Sequence, residues 1–235
     1  MKADNLHVSV SCVVIGFDGA QLCVLLVKGE GKQSDYKMLP TSLISEDDDL
    51  DEAAKRILKG ETGLGTIQLL QFRAYGFKNM VNSCDDVRDL MRKHQIDPEQ
   101  TSSVLTIAYW RTVEISKQMK EGIEGTKAQW VPVSEIGKLV CGQEQIVKDA
   151  VECIRTYSKK IPSLLFDMLP KEFTISSLRK LYSMVYDREY DVRNFYKKMQ
   201  QMEYIVPLEK KPVGVSHRAA RYFRFVSGSR RARKE

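Results

Sequence analysis

The stretch DDDLDEAAKRILKGETGL, Asp47 to Leu64, reads as an acidic loop running into a helix. Side chains at i, i+3 and i+4 share one helical face, so positions 57, 60 and 61 form a cluster. Three carboxylates there would hold Mg²⁺, a hard cation that takes oxygen ligands in near-octahedral order. The metal would activate water and draw charge off a diphosphate leaving group. This chain has Ile57, Gly60 and Glu61 at those positions. Ile57 is apolar, and Gly60 has no side chain and weakens a helix by about 1 kcal/mol relative to Ala. Asp47, Asp48, Asp49 and Asp51 are read as solvated acids that stabilise the helix macrodipole, rather than as a replacement metal site. Arg56 has a structural role open to it, pairing with Glu61 or with a nearby loop carboxylate.

A second group of chemistry-bearing residues lies in DVRNFYKKMQQM. Helical spacing puts Phe195, Met199 and Met202 on one side and Arg193, Asn194, Lys197, Lys198 and Gln201 on the other. Arg and Asn pair bidentately with guanine and adenine edges, and Lys neutralises phosphate. Lys210, Lys211, His217, Arg218 and Arg221 follow, on a segment that would reach the DNA backbone or the minor groove. The charge split agrees. Residues 1–160 carry 21 Lys+Arg and 23 Asp+Glu, whereas residues 161–235 carry 16 and 8. A basic module behind a mildly acidic one points to a polyanion. A protein-interaction module with a solvated basic face is the competing reading, and it predicts no DNA affinity at any salt.

The elements that must position these residues follow from periodicity. His7 to Phe17 and Gln21 to Val27 read as a hairpin, the second strand buried on both faces. Short strands surround Pro40. Asp49 caps the next helix, with Glu52 placed for a capping box. Leu50, Ala53, Ala54, Ile57 and Leu58 form its apolar stripe, and Gly63 and Gly65 end it. Thr66 to Phe77 and Val104 to Val113 read as strands around a polar insert, whose short helix spans roughly Asp85 to His94. A strand over AQWVP and an amphipathic helix over Gln143 to Tyr157 complete the front part. The polar-to-apolar change at Lys159 to Ser163 divides the chain into domains 1–160 and 161–235, the second ending in a basic tail. There, Thr174 caps a helix whose inner face is Ile175, Leu178, Leu181, Tyr182 and Val185, and Asp191 caps the next. Two helices with a tight connection make a helix-turn-helix. The strands YIVPL and RYFRFV around a basic loop make its wing.

With 235 residues, 43% of them hydrophobic, the chain can bury a real core. Its five scattered cysteines show no metal-ligand spacing and read as reduced thiols of a cytoplasmic protein. Nothing at the N-terminus resembles a signal peptide, and no apolar run is long enough to span a bilayer.

The front part resembles the Nudix fold. Anchored on Gly63, the family's Arg falls on Arg56, its aliphatic positions on Leu58 and Leu64, and its last Glu on Glu61. Its upstream Glu falls on Asp48 and its leading glycines on Thr41 and Ser42, so a degenerate box spans 41–64 without gaps. LPKEFT through DVRNFYKKM, with a hairpin ending RYFRF, resembles the NrtR family of Nudix-related transcriptional regulators. The resemblance implies an α+β fold: a Nudix-like α/β/α sandwich with a mixed sheet, then a winged helix-turn-helix. It implies a homodimeric bacterial regulator that binds a double-stranded operator and senses a small effector, ADP-ribose or a sugar such as arabinose. No cofactor or metal is expected. Candidate effector-binding residues are Tyr36, Lys37, Arg56, Glu61, Arg73, Tyr75 and Tyr109. A residual Nudix hydrolase acting on a nucleoside diphosphate derivative is the alternative.

Overall fold

The computed structural model describes residues 5–29, 37–45, 47–76, 85–209 and 221–226. The chain divides into two units. The first takes Met1–Ile15, Cys23–Arg111 and Lys117–Val151, and the second takes Gly16–Leu22, Thr112–Ser116 and Glu152–Glu235.

The β-branched run after the N-terminus forms β1, Asn5–Phe17, and β2, Leu22–Lys28, follows it. All of β2 except Lys28 is buried, as a strand covered on both faces should be. Pro40 separates β3, Lys37–Met38, from β4, Thr41–Leu43. With β5, Leu70–Gly76, β6, Thr101–Glu114, and β7, Ala128–Pro132, these strands make a seven-stranded mixed sheet. Its order is β3-β2-β1-β6-β5, with β4 added on β1 and β7 on β2. The short β4 is held firmly. Ser11 is in register with Thr41, and their hydroxyls are 2.8 Å apart. Buried Gln143 donates to Thr41 Oγ1 at 3.0 Å and accepts from the Leu39 N–H at 2.8 Å. Each end of the buried amide thus has a hydrogen-bond partner, as buried polar groups require.

Helix α1, Leu50–Thr62, starts and stops where its end residues dictate. The Asp49 carboxylate accepts from the N–H groups of Asp51 and Glu52, both at 3.0 Å. Gly63 takes the left-handed conformation, φ 77°, and returns its N–H to the Lys59 carbonyl. Ala53, Ala54, Ile57 and Leu58 are buried, while Leu50 is half-buried. Glu52 pairs with Lys55 at 2.8 Å.

The insert helix α2, Asp85–Lys93, is more than surface decoration. Its Val87 and Met91 share a core cluster with Leu43 and Val104, and Ile96 and Cys141 pack against that cluster. Cys12, Cys23 and Cys153 are free thiols, but Cys141 is disulfide-bonded, which corrects the expectation of five reduced cysteines. After α3, Lys117–Glu121, helix α4 spans Gln143–Tyr157. It buries the expected stripe of Ile146, Val147, Ala150, Val151 and Ile154.

In the second unit a short α5, Ser163–Phe166, precedes β8, Phe173–Thr174. Then come α6, Ile175–Tyr186, α7, Val192–Gln200, β9, Ile205–Pro207, and β10, Tyr222–Phe225. The strands form an antiparallel sheet in the order β8-β10-β9. Two residues long, β8 lies below what alternation can reveal in a sequence, and it adds a third strand to the expected hairpin. Phe166 organises the base of this sheet. Its ring stacks on Phe225 at 4.5 Å and meets Phe173 and Tyr204 at 5.4 and 5.7 Å. No helix among the described residues is long and apolar enough to cross a membrane.

Candidate functional site

The first unit holds a cavity of about 340 Å³ against α1. Arg56, Ile57, Gly60 and Glu61 of the helix line one side, and Ser42 and Leu43 of β4, with Ser45 and Asp48 of the next loop, line another. His94, just past α2, closes a third side, its Nε2 3.0 Å from the Ser42 hydroxyl. The acidic loop is clamped to the helix from within this cavity. Arg56 Nη2 donates to Asp48 Oδ2 at 2.8 Å, and the Ser45 N–H donates to the same oxygen at 3.0 Å. The Arg56 hydrogen bond, backed by the Ser45 backbone, pulls the Asp48 carboxyl down to about 2. Arg56 thus pairs with the loop acid, one of the two carboxylates left open to it by the sequence. Ile57 turns into the core at 6% exposure. A Cβ added at Gly60 would meet no atom within 4 Å, so the helix is open at this point of the cavity wall.

Of the sequence candidates for ligand contact, Arg56 and Glu61 line this cavity. The others do not. Arg73 and Tyr75 instead converge on Asp149 Oδ2, donating at 2.7 and 2.9 Å, and Gln145 donates to Oδ1 at 2.9 Å. This network ties β5 to α4. Burial, then the hydrogen bond to Asp149, raises the Tyr75 hydroxyl above its usual range. Tyr109 is buried, and its hydroxyl donates to Asp51 Oδ1 at 2.6 Å. Burial, then that bond, raises its pKa too. Lys37 sits half-buried in β3 outside the cavity lining, and Tyr36 lies outside the described residues. Alternation along strands placed these residues near the motif but could not tell which sheet face each would occupy. Sequence reasoning missed Ser42, Ser45, Asp48 and His94 as lining residues. Ser42 and Asp48 already stood in the box alignment, whereas nothing local marked His94.

The second unit presents its basic residues on a fixed frame. Asp187 ends α6 in the left-handed conformation, φ 48°. Arg179 Nη1 donates to the Tyr190 carbonyl at 2.9 Å, and the Asp191 carboxylate accepts the Asn194 N–H at 2.9 Å. These bonds fix the start of α7. Phe195 and Met199 are buried, and Arg193, Asn194, Lys197 and Gln201 are exposed on the outer face. Lys198 is exposed as well, but it has partners within the unit. Its ammonium lies over the rings of Tyr182 and Tyr190 at 5.0 and 5.2 Å, a cation–π contact that draws it back toward the turn. Burial, then the charge of Arg188, lowers its pKa. Arg221 is exposed beside β10, and Arg224, which the sequence did not single out, is exposed within it. Lys210, Lys211, His217 and Arg218 lie outside the described residues.

A model of the NUDIX domain family matches residues 5–150, and one of the NrtR DNA-binding winged helix domain matches residues 165–225. The chain belongs to the Nudix family and carries an NrtR-type DNA-binding winged helix domain. Its fold is similar to that of Shewanella oneidensis NrtR crystallised with a 27mer DNA, with a TM-score of 0.68 at 17% identity over 93% of each chain. A second structure of S. oneidensis NrtR matches with a TM-score of 0.66 at 18% identity, over 93% of this chain and 94% of that one. A MutT/nudix family protein from Enterococcus faecalis matches at 0.60 and 17%, over 96% of this chain and 90% of that one. No curated protein matches the sequence.

Among the described residues the Mg²⁺ of the Nudix fold has no fitting donor set. Glu61 is the single α1 carboxylate on the cavity, Asp48 is engaged by Arg56, and Ile57 is apolar and buried. A hard divalent cation needs several oxygen ligands together. Among the described residues no cluster of three or more His, Cys, Asp or Glu is placed to hold an ion. Shape, a guanidinium, two serine hydroxyls, an imidazole and two carboxylates remain, and these suffice for binding a polar ligand.

Proposed function

We propose that this protein is a transcriptional regulator whose Nudix domain binds a small metabolite without hydrolysing it, and whose winged helix binds operator DNA under control of that metabolite. The observation that carries the reading is the cavity wall formed by α1, where Ile57 and Gly60 stand in place of acids beside a single Glu61. A regulator that destroyed its effector would lose the signal, so the retained cavity and the missing ligands belong together. The effector class is a sugar or a nucleotide-sugar such as ADP-ribose. Hydroxyl-rich molecules suit the serine, imidazole and carboxylate groups of the lining.

Arg193, Asn194 and Lys197 carry DNA contact from α7, with Arg221 and the loop cations Lys210, Lys211, His217 and Arg218 reaching the backbone. Lys198 serves mainly to hold the turn between the helices, through its two tyrosine rings. The protein acts as a homodimer, since paired recognition helices read half-sites about 34 Å apart or at multiples of that distance.

The test has two arms. Sites are first selected from a random duplex library with the full-length protein, and affinity is followed by anisotropy with pentoses, hexoses and ADP-ribose added singly. A change of 5-fold or more with one of them, the size of a typical allosteric coupling of 1–3 kcal/mol, is the expected result. The second arm incubates the protein with Mg²⁺ and ADP-ribose and assays the products. Turnover near 1 s⁻¹ or faster, in the ordinary enzymatic range, would replace the regulator with the hydrolase.

A further inference from the structure

Two apolar side chains on α7 have no structural reason to be where they are. Val192 opens the helix at 59% exposure, the highest among the exposed large hydrophobic residues described. Tyr196, one turn later on the same side, is 40% exposed. A β-branched residue is a poor helix former, and the inner stripe of α7 is already filled by Phe195 and Met199. Cations border the pair, with Arg193 and Lys197 following Val192 and Tyr196 at the same i, i+4 spacing. That combination fits one partner. Positive charge draws a duplex in, and the first turn of a recognition helix approaches base edges in the major groove.

We infer that Val192 and Tyr196 are sequence-reading residues that select thymine by packing against its C5-methyl group. The inference rests on the DNA-binding reading above and deepens it. Thymine alone offers a methyl group in the major groove, and apolar side chains recognise it by exclusion of water. The frame supports such precision. The Asp191 cap, the Arg179 bond to the Tyr190 carbonyl and the left-handed Asp187 fix the start of α7, so Val192 enters at a set depth. A protein-binding face would make equal use of exposed apolar groups, but it gains nothing from the flanking cations unless its partner is acidic.

The experiment removes the methyl from the DNA rather than from the protein. In a selected operator each thymine is replaced in turn by deoxyuridine, which lacks only that group. At one or more positions wild-type affinity should fall about fourfold, the value of one buried carbon. Val192→Ala and Tyr196→Ala should bind the thymine operator several-fold more weakly. At the contacted position each should also become indifferent to the deoxyuridine exchange. Val192→Thr, which keeps one methyl and the branched shape, should fall between. Circular dichroism confirms that α7 persists, as an exposed Val→Ala exchange permits. Tight binding with no thymine position sensitive to methyl loss overturns this inference and leaves the regulator reading intact. So does a methyl effect that survives in both alanine variants. Failure to bind any duplex at low salt overturns both readings.

Discussion

Asp48 and Gly60 decide what the cavity can do. The guanidinium of Arg56 donates to Asp48, whose carboxyl is held at about 2 while its side chain keeps 19% exposure. A carboxylate whose folded pKa lies below its unfolded value near 4 contributes stability that is fully present above that unfolded value. The contribution fades as pH falls from about 4 through about 2. Thermal unfolding of wild type and Asp48→Asn should therefore differ most at neutral pH and converge toward pH 2, and a constant gap across that range would contradict the pairing. Gly60 is an interior helix residue with free space where a Cβ would stand. Exchange to Ala should raise stability by about 1 kcal/mol, read as a higher denaturant midpoint. The same exchange should weaken effector binding if the missing side chain makes room for the ligand.

At the scale of elements, α7 is the sharpest case. It is nine residues long, too short to hold itself in water, so its cap and its packing must supply the order. Asp191→Ala should cost about 1 kcal/mol and weaken DNA binding beyond that, because the Asn194 N–H at the start of the helix loses its acceptor. Exchanging Lys197 for Ala should lower affinity for every sequence and reduce the slope of log K against log salt by about one. Lys198→Ala should act differently, since its charge is directed to Tyr182 and Tyr190. It should lower the melting temperature of the second unit with little change in salt slope. Equal salt-slope losses for the two lysines would show that the tyrosine contact gives way when DNA arrives.

For the whole molecule the consequence is linkage. An effector that changes operator affinity by some factor must have its own affinity changed by operator DNA in the same factor. Calorimetric titration of the effector with and without saturating operator should return the fold-change seen in the DNA experiment. A mismatch would mean that the two ligands do not share one equilibrium. Sedimentation of the free protein should give a dimer at the concentrations used for binding, and a monomer in both free and bound forms would remove the half-site argument.

Much of this was legible in the residues themselves. Asp49 and Gly63 around α1, Thr174 and Asp191 before α6 and α7, and the stripe of α4 are local features. Capping and helical burial depend on neighbours within one or two turns, so the sequence by itself determined where these helices begin, end and face. The same locality marked Arg56 and Glu61, which sit on one helix. What it could not determine was who meets whom across long chain separations. Only the tertiary structure brought His94 from the insert to Ser42, gathered Arg73 and Tyr75 on Asp149 and buried Tyr109 over Asp51. It also set the Lys198 ammonium over the rings of Tyr182 and Tyr190. The physical reason is that side-chain partners are chosen by distance in space. A helical period fixes that distance for neighbours in the chain, and the packing of the sheet, helices and insert fixes it for the rest.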